Sequence, residues 1–404
     1  MTSTSILPHE TMSAICVEFA FDIEDAGNRA FEVWKSLAAV NRGWRSVARQ
    51  TSQLWTVLAP VRHQRSPPTA HFPEQVTLAG NRPLQLVWPE WPHALEDSVD
   101  AIASLANGLH SMQYTSSMRA LSRQSLGALP RVTAVEISMW GPASTDALRA
   151  LQDTPAVRSL ALRLLSDPDD AGEGAIPVTL SVPRQQCLTS LSLHSSARLV
   201  FHARTCIEFL RTHRATLTRV AITGRVFWPP GMPPSYAGAP EMGALLVLTL
   251  SRTAAMLTRV IRAPRIRDLE IQDTTWLARG DSPLATCLES RPETFTNLHL
   301  TRVAAVVSAT VEDAIALLEP CQSVETLVLD YSGPSSSRSR FRFALLMMHA
   351  LVYSTVLPSL TDLHVWHSSG EWWSDLEFLD DLQQAFSTAG RRDVAIHVDL
   401  HRPR

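Results

Sequence analysis

The stretch that decides the fold lies in the middle of the chain, where residues 266–271 read IRDLEI and residues 295–300 read FTNLHL. Both segments have an apolar residue, two variable residues, and then two apolar residues separated by one variable residue. This alternation is typical of a β-strand with one buried face, because successive side chains point to opposite sides of a strand. The two segments therefore predict two short strands that begin 29 residues apart and bury equivalent faces.

The same pattern recurs outward from these segments in both directions. Seven further copies are VTAVEI (132–137), VRSLAL (157–162), LTSLSL (188–193), LTRVAI (217–222), LLVLTL (245–250), VETLVL (324–329) and LTDLHV (360–365). Successive copies begin 25, 31, 29, 28, 21, 29, 29 and 36 residues apart. Spacing this regular indicates structural repeats, and it clusters around the leucine-rich period of about 20–29 residues.

Segments compatible with helices lie between the strand motifs. Examples are residues 206–213, 312–318 and 341–352. Residues 374–377 (SDLE) predict a capping box that begins a last helix, and Gly390 suits its end. Residues 394–400 then alternate as a terminal strand. We therefore predict an α/β fold, with an irregular leucine-rich-repeat solenoid of strand and helix over residues 131–404.

The repeats depart from the usual leucine-rich pattern in two ways. The asparagine expected a few residues past each strand is missing, and the length of the unit varies. The alternative architecture is an ordinary α/β domain with helical crossovers.

In a solenoid of this kind, the third, fifth and seventh residues of each motif project from the exposed face of the sheet. We predict that this face binds a protein target, because charged and aromatic side chains along it suit an extended partner. The predicted contact residues are Arg163, His194, Arg219, Asp268, Glu270, Asn297, His299, Asp330, His364 and Trp366. The alternative is a solvated polar face with the binding site elsewhere.

The first sixty residues have a separate, helical pattern. Pro8 suits the first turn of a helix, and two later runs place Trp34 and Trp44 on apolar faces before the segment closes at Trp55. A module of fewer than about 60 residues is marginal by itself. We therefore expect these helices to bury their aromatic surface against something else.

Three short motifs follow one another in this segment: LPHE at 7–10, VNRGWRSVA at 40–48 and LW at 54–55. In this order they resemble an F-box, most closely the variant that begins many mushroom-type fungal proteins. A strand of the type RPLQL (82–86) follows the F-box in those proteins too. The chain departs from the family at Asn41, where cysteine is usual, and in the acidic connector at residues 22–28.

The resemblance implies a substrate-recognition adaptor of a Skp-cullin-F-box ubiquitin ligase, a component of the ubiquitin-conjugation pathway. The helices of residues 1–60 would bind a Skp-type adaptor held by a cullin scaffold, and the repeats would hold an unknown protein target. By position, the docking or docking-core residues are Leu7, Pro8, Ile15, Val40, Trp44 and Trp55. The alternative is a helical cap on a leucine-rich-repeat interaction scaffold that has no connection to a ligase.

Residues 61–130 read as a linker between these two parts. Prolines at 67 and 68 indicate a boundary. Residues 75–78 and 83–88 predict a short strand pair, and residues 94–129 have a mostly helical pattern.

Composition argues against several partners. A net charge of −3 disfavours nucleic acid as the main partner. The sequence has no run of about eighteen apolar residues and no signal-peptide pattern at its start, so we expect no membrane partner and a cytoplasmic or nuclear location. The five cysteines are scattered without a CxxC pair, which is typical of buried thiols in a reducing compartment.

The sequence lacks the common catalytic and nucleotide-binding signatures, including GxGxxG, GxSxG and HExxH. His364 and His367 are three residues apart on a predicted strand, so they point to opposite faces and do not suit one metal ion. We therefore predict a protein that is not an enzyme and that has no cofactor, metal site or catalytic residue.

Overall fold

A computed structural model describes residues 10–15, 42–58, 71–88, 108–116, 131–140, 156–166, 174–180, 187–229, 240–277, 282–289, 295–331, 338–368, 375–391 and 393–401. The chain divides into two compact units. Unit 1 comprises residues 1–165 and 183–188, and unit 2 comprises residues 166–182 and 189–404.

Unit 1 contains short helices and a parallel sheet. Residues 10–15 are helical. The further elements are helix α1 (Arg42–Gln50), a 3-10 helix (Ser52–Trp55), strand β1 (Val57–Leu58), helix α2 (Phe72–Ala79), and strands β2 (Leu84–Trp88), β3 (Leu109–Ser116), β4 (Ala134–Trp140) and β5 (Ser159–Leu165). The five strands are parallel neighbours in chain order.

Unit 2 contains a larger parallel sheet and two small ones. Its strands are β6 (Ile176–Val178), β7 (Ser190–His194), β8 (Leu199–His202), β9 (Arg219–Thr223), β10 (Val226–Phe227), β11 (Val247–Ser251), β12 (Asp268–Gln272), β13 (Thr275–Trp276), β14 (Asn297–Thr301), β15 (Ala304–Ala305), β16 (Thr326–Asp330), β17 (Asp362–Ser368) and β18 (Ala395–His401). Its helices are α3 (Ala203–Thr212), the 3-10 helix Arg252–Val260, α4 (Pro283–Glu289), α5 (Val311–Leu318), α6 (Arg338–Tyr353) and α7 (Asp375–Thr388).

The main sheet of unit 2 follows the order β7-β9-β11-β12-β14-β16-β17-β18, and its strand pairs are parallel. Each strand begins at the third residue of a sequence motif or, for β18, in the predicted terminal strand. The structure has a strand at each of the nine motifs. The protein is therefore mixed α/β with a large parallel sheet, as the sequence predicts at that level.

Successive strands of unit 2 are joined by the same backbone contacts. The N–H groups of Arg267 and Asp268 both donate to the carbonyl of Leu246, and those of Thr296 and Asn297 both donate to the carbonyl of Arg267. The pattern continues through β16 and β17, and at β18 the N–H of Ala395 alone donates to the equivalent carbonyl, that of Thr361. This shared geometry keeps equivalent motif positions in register across the sheet, so each position forms a row of side chains.

In most strands of this sheet one face is buried and the other is partly exposed, whereas in β16 both faces are buried except at Thr326. Along β12 the buried residues are Leu269 and Ile271, while Asp268, Glu270 and Gln272 are half-buried. The fourth and sixth motif positions across the sheet form the core, and leucine or another aliphatic residue fills them with at most 1% exposure in β7, β9, β11, β12, β14 and β16. Burying these side chains contributes roughly 1.5–3 kcal/mol each.

Helices and short strands cover the buried side of the sheet. The 3-10 helix Arg252–Val260 packs on β9, β11 and β12, and α6 packs on β15 and α5. Two of the helices begin with side-chain caps. His202 Nδ1 accepts the N–H of Arg204 at the start of α3, and Thr310 forms a reciprocal capping box with Asp313 at the start of α5.

The chain turns sharply at the residue after several strands. Gly224, Arg252, Asp273 and Arg302 each occupy the eighth motif position and have positive φ angles of 93°, 51°, 48° and 52°. The N–H of Asp273 donates to the carbonyl of Thr301 in the next repeat. A left-handed residue after the strand thus directs the chain away from the sheet in four consecutive repeats.

The predicted linker has a different structure from the one expected. Residues 75–78, predicted as a strand, lie in helix α2, whose start is set by Pro73 in its first turn. Residues 109–116, within a segment predicted to be mostly helical, form β3. Strands β2 to β5 begin at residues 84, 109, 134 and 159, so a 25-residue spacing extends through the sheet of unit 1. The strand series therefore begins before residue 131, the boundary that the sequence suggests.

The last helix and strand agree with the sequence pattern where the structure describes them. Gly390 has a φ of 81° after α7, and the N–H of Arg391 donates to the carbonyl of Phe386. Ser374, the first residue of the expected capping box, lies outside the described residues. Among the helices of the described ranges, none combines the length and apolar character that crossing a membrane requires.

Candidate binding face and docking helices

The open face of the unit 2 sheet, hereafter the open face, comprises the third, fifth and seventh motif positions of seven strands and the residues of β18 that pair with them. The fifth position forms one continuous row in which Glu270 pairs with His299, His299 with Val328, Val328 with His364, and His364 with His397. Neighbouring strands lie about 4.8 Å apart. Each side chain in a row is therefore within reach of the next.

The acidic part of the open face is internally hydrogen-bonded. Glu270 accepts hydrogen bonds from Thr249 Oγ1 at 3.1 Å and from Gln272 Nε2 at 2.6 Å. Asp268 Oδ1 accepts a hydrogen bond from Asn297 Nδ2. These contacts hold the two predicted carboxylates in fixed positions on the open face.

Two predicted basic residues lie in different environments. Arg219 is exposed at the start of β9. Arg163 belongs to unit 1, where its Nε lies 2.6 Å from Oε1 of Glu136 on the neighbouring strand. The predicted contact set is thus divided between the two units, with Arg163 in unit 1 and the other nine residues in unit 2.

The remaining predicted contact residues differ in exposure. His194 is exposed, and its Nδ1 lies 2.8 Å from Thr223 Oγ1. His299 and Trp366 are half-buried. Asp330 has only 7% of its surface exposed between Thr301 of β14 and Trp366 of β17, so little of it is accessible, and its contact with a target remains a prediction.

The structure brings His364 together with a histidine that sequence reasoning missed. The rings of His364 and His397 stack with centroids 4.5 Å apart and planes 13° apart. Asp362 Oδ1 lies 3.9 Å from His397 Nε2. One donor atom from each of the three residues lies within 4.8 Å of the others, so the group is able to approach a single metal ion.

Proximity in the sequence would pair His364 with a different histidine. His367 is three residues from His364, whereas His397 is 33 positions away and becomes a neighbour through strand pairing. The signal that identifies His397 is its place in the predicted terminal strand, where it lies between the apolar residues Ile396 and Val398 and so projects to the opposite face. That signal becomes informative only when the register between β17 and β18 is known.

The predicted docking residues are described in part. Leu7, Pro8 and Val40 lie outside the described residues. Ile15 is exposed with 42% of its surface accessible, and Trp44 is half-buried on α1. Trp55 is 3% exposed and its ring N–H donates to the carbonyl of Ala48 at 3.0 Å, which makes it a core residue of this segment and not a surface contact.

The cysteines of unit 2 belong to its core. Burial raises the pKa of the Cys206 thiol to about 12 and that of Cys321 to about 12. Both thiols therefore stay protonated and unreactive at neutral pH. Cys287 is also buried, whereas Cys187 in unit 1 is exposed.

Comparisons with known proteins add no relative. No protein-family model matches the chain, and no curated protein matches it.

Proposed function

We propose that this chain is a substrate-recognition adaptor of a Skp-cullin-F-box ubiquitin ligase. The N-terminal helices bind a Skp-type adaptor that is held by a cullin scaffold. The strand repeats form an irregular leucine-rich-repeat solenoid whose open face holds a protein target. In this role the chain positions two proteins and carries out no chemistry itself.

The observation that carries the proposal is a parallel sheet with one face open. Parallel sheets in doubly wound proteins have helices on both faces and read as continuous apolar runs. Here β12 alternates between half-buried polar residues and buried apolar residues, and in β14 the polar residues Asn297 and His299 are half-buried while Thr301 is buried. Strands that are neighbours in chain order and a polar, solvent-facing row are typical of repeat proteins that bind partners along the sheet.

The chemistry of the open face indicates the kind of target. Among the described residues that are not buried on this face, carboxylates are contributed by Asp268, Glu270 and Asp362, and Arg219 is the arginine. This excess of negative charge favours a target segment with lysine or arginine side chains. Trp366 at the C-terminal end of the face adds an aromatic surface of the type that often dominates binding energy.

The N-terminal helices support docking through exposed apolar surface. Ile15 is among the most exposed large hydrophobic residues that the structure describes, and Trp44 on α1 is half-buried. Burial of an isoleucine side chain in an interface stabilises a complex by roughly 1.5–3 kcal/mol. These two side chains are therefore the best described positions at which to test docking.

The test is capture of a purified Skp-type adaptor by the full chain. We expect the double variant Ile15→Glu, Trp44→Ala to lose at least about tenfold in affinity, since it introduces a charge and removes an aromatic contact. Leu277→Glu is the matched control, because Leu277 is 41% exposed against 42% for Ile15 but lies in unit 2. Binding that survives the double variant would contradict the proposal.

The alternative is an interaction scaffold without a ligase connection, in which the N-terminal helices are a cap. The burial of Trp55 within its own segment favours this alternative, because that ring needs no partner to leave water. The two functions make opposite predictions for the adaptor experiment. A chain that fails to bind any Skp-type adaptor while still retaining a target through the repeats would be the scaffold.

The target side is tested by charge reversal on the open face. Arg219→Glu changes an exposed residue of β9, and Arg214→Glu changes an exposed residue in the turn after α3 as a control. We expect proteins captured from native cells by the wild type to be retained by Arg214→Glu and altered in Arg219→Glu. Identical captured proteins for all three forms would place the binding site away from this face.

A further inference from the structure

The last two strands of unit 2 place three metal-binding side chains on one face. Strands β17 and β18 pair in parallel over seven residues each, with His364 directly opposite His397. Asp362 precedes His364 by two residues, so both side chains project to the same side of β17. The backbone ladder, and not a loop, therefore fixes the spacing of the three groups.

A neighbouring hydroxyl orients the carboxylate. Thr361 Oγ1 donates a hydrogen bond of 2.7 Å to Asp362 Oδ2. The other oxygen, Oδ1, is the one that lies 3.9 Å from His397 Nε2. Hydrogen bonds of this kind, made by groups just outside a metal site, hold a ligand in the orientation that the ion requires.

The distances suit a small transition-metal ion. Bonds of about 2.0–2.2 Å to a tetrahedral Zn²⁺ place the ligand atoms roughly 3.3 Å apart. The donor atoms of Asp362, His364 and His397 all lie within 4.8 Å of one another. Each must move by at most about 1.5 Å, and the two rings, whose planes are 13° apart in the stack, must also turn so that one nitrogen lone pair of each points at the ion. Side-chain rotation supplies both changes without disturbing the paired strands.

The cluster is open to the solvent. Side-chain exposure is 49% for His397 and 41% for Asp362, and His364 is half-buried. An ion therefore has a path to the donors, and the side away from the sheet is left for a water molecule. Three protein ligands with a fourth, open position are typical of zinc sites that bind or activate a further molecule.

We infer that Asp362, His364 and His397 form a binding site for a divalent transition-metal ion. Two imidazole nitrogens and one carboxylate oxygen favour Zn²⁺, Co²⁺, Ni²⁺ or Cu²⁺ over Ca²⁺ and Mg²⁺, which prefer oxygen ligands. The inference goes beyond the adaptor function and does not depend on it. A bound ion would also place a positive charge at the C-terminal end of an otherwise acidic face.

The experiment is calorimetric titration of the full-length protein with Zn²⁺ after removal of any polyhistidine tag. It is repeated with Co²⁺, whose visible absorption reports nitrogen and oxygen coordination. We expect one equivalent to bind, and we expect at least about tenfold weaker binding in His397→Ala and in Asp362→Asn. The weaker binding in these two variants must appear with Zn²⁺ and with Co²⁺.

The matched control is His349→Ala. His349 is an exposed histidine of unit 2, and it stacks on one ring, Tyr353, as His397 stacks on His364. We expect this variant to bind Zn²⁺ like the wild type, and thermal unfolding without metal to be unchanged in all three variants. Absence of Zn²⁺ binding to the wild type at submillimolar concentration would overturn the inference, and so would binding that is equal in His397→Ala and His349→Ala.

Discussion

Among the glycines that the structure describes, Gly224 is the one where an added side chain would meet its neighbours most closely. It follows β9 with a φ of 93°, and a Cβ atom placed on it would lie 2.5 Å from the carbonyl oxygen of Ser195 and 2.8 Å from Ser195 Cβ. The carbonyl oxygen is part of the backbone, and the N–H of Ser195 is itself bonded to the carbonyl of Thr223. The neighbouring repeat therefore has little freedom to move away.

We expect Gly224→Ala to destabilise unit 2 by more than about 2 kcal/mol, because it combines left-handed backbone strain with a steric clash. Gly390→Ala is the control, since Gly390 also has a positive φ, of 81°, but no atom lies within 4 Å of the position that the added methyl group would take. That variant should lose only the strain contribution, about 1 kcal/mol. Chemical denaturation measures the free energy of unfolding of both variants. Equal decreases in the two would show that the contact with Ser195 contributes nothing to the destabilisation.

On the open face, the alternating sequence pattern predicts the side of the strand on which a residue lies, but not how deeply that residue is buried. The placement of Asp268, Glu270, Asn297 and His299 on one side of their strands follows from the period of two in the motif. Their role in target binding remains a prediction. Alternation does not give the burial of Asp330, because that depends on the size of the side chains on the two neighbouring strands.

At the scale of elements, an ion pair joins two successive turns, the one between β12 and β13 and the one between β14 and β15. Arg302 donates through Nε and Nη2 to the two carboxylate oxygens of Asp273, each at 2.8 Å. The hydrogen bond from Arg302 and its positive charge lower the pKa of Asp273, and burial partly opposes them. Both residues have positive φ, so the pair stabilises a turn that neither residue favours by itself.

This pair makes part of the stability depend on pH. Because the folded pKa of Asp273 is lowered from 3.8, the unfolded state binds the proton more readily. The contribution of the ion pair to the free energy of unfolding is fully present above pH 3.8. It is lost as the pH falls through the lower pKa that Asp273 has in the folded protein. Asp273→Asn should therefore cost about 1 kcal/mol at neutral pH, a modest value because both side chains are partly exposed.

The measurement is denaturant unfolding of wild type and Asp273→Asn across the acid range. The difference in the free energy of unfolding should shrink below pH 3.8. Asp381→Asn, on the exposed side of α7, is the control and should match the wild type at each pH. A difference between Asp273→Asn and wild type that stays constant with pH would mean that the ion pair contributes no net stability.

The elements differ in how well the sequence predicts them. The nine strand motifs and the helices α3, α5 and α6 follow from apolar periodicity, which is local information. The segment 75–78 alternates like a strand but forms part of α2, because its partners lie on the 3-10 helix Ser52–Trp55. Short apolar segments of this kind are decided by what they pack against, and the sequence pattern alone does not separate the two outcomes.

At the scale of the whole molecule, the cysteines report on the integrity of unit 2. Cys206, Cys287 and Cys321 are buried in it, and the pKa values of Cys206 and Cys321 are raised to about 12 by burial. Cys187 is exposed in unit 1. We expect a thiol reagent at neutral pH to modify Cys187 in the native protein and to leave the three core thiols unmodified.

Peptide mapping by mass spectrometry identifies the modified residues, and it separates them from Cys16, which lies outside the described residues. With increasing denaturant, the three core thiols should become reactive over the same concentration range, because they share one core. Rapid labelling of Cys206 or Cys321 in the native protein would contradict the packing of unit 2.

By itself, the sequence determined the α/β class, the position of the repeated strands and the residues that alternate toward the open face. Those properties depend on side-chain period within a few residues, which local sequence records. Only the tertiary structure decided strand β3, which completes a 25-residue series in unit 1, the left-handed turns at Arg252, Asp273 and Arg302, and the meeting of Asp362, His364 and His397. The physical reason is that strand register joins residues from different repeats, and the variable length of the repeats hides that register from the linear sequence.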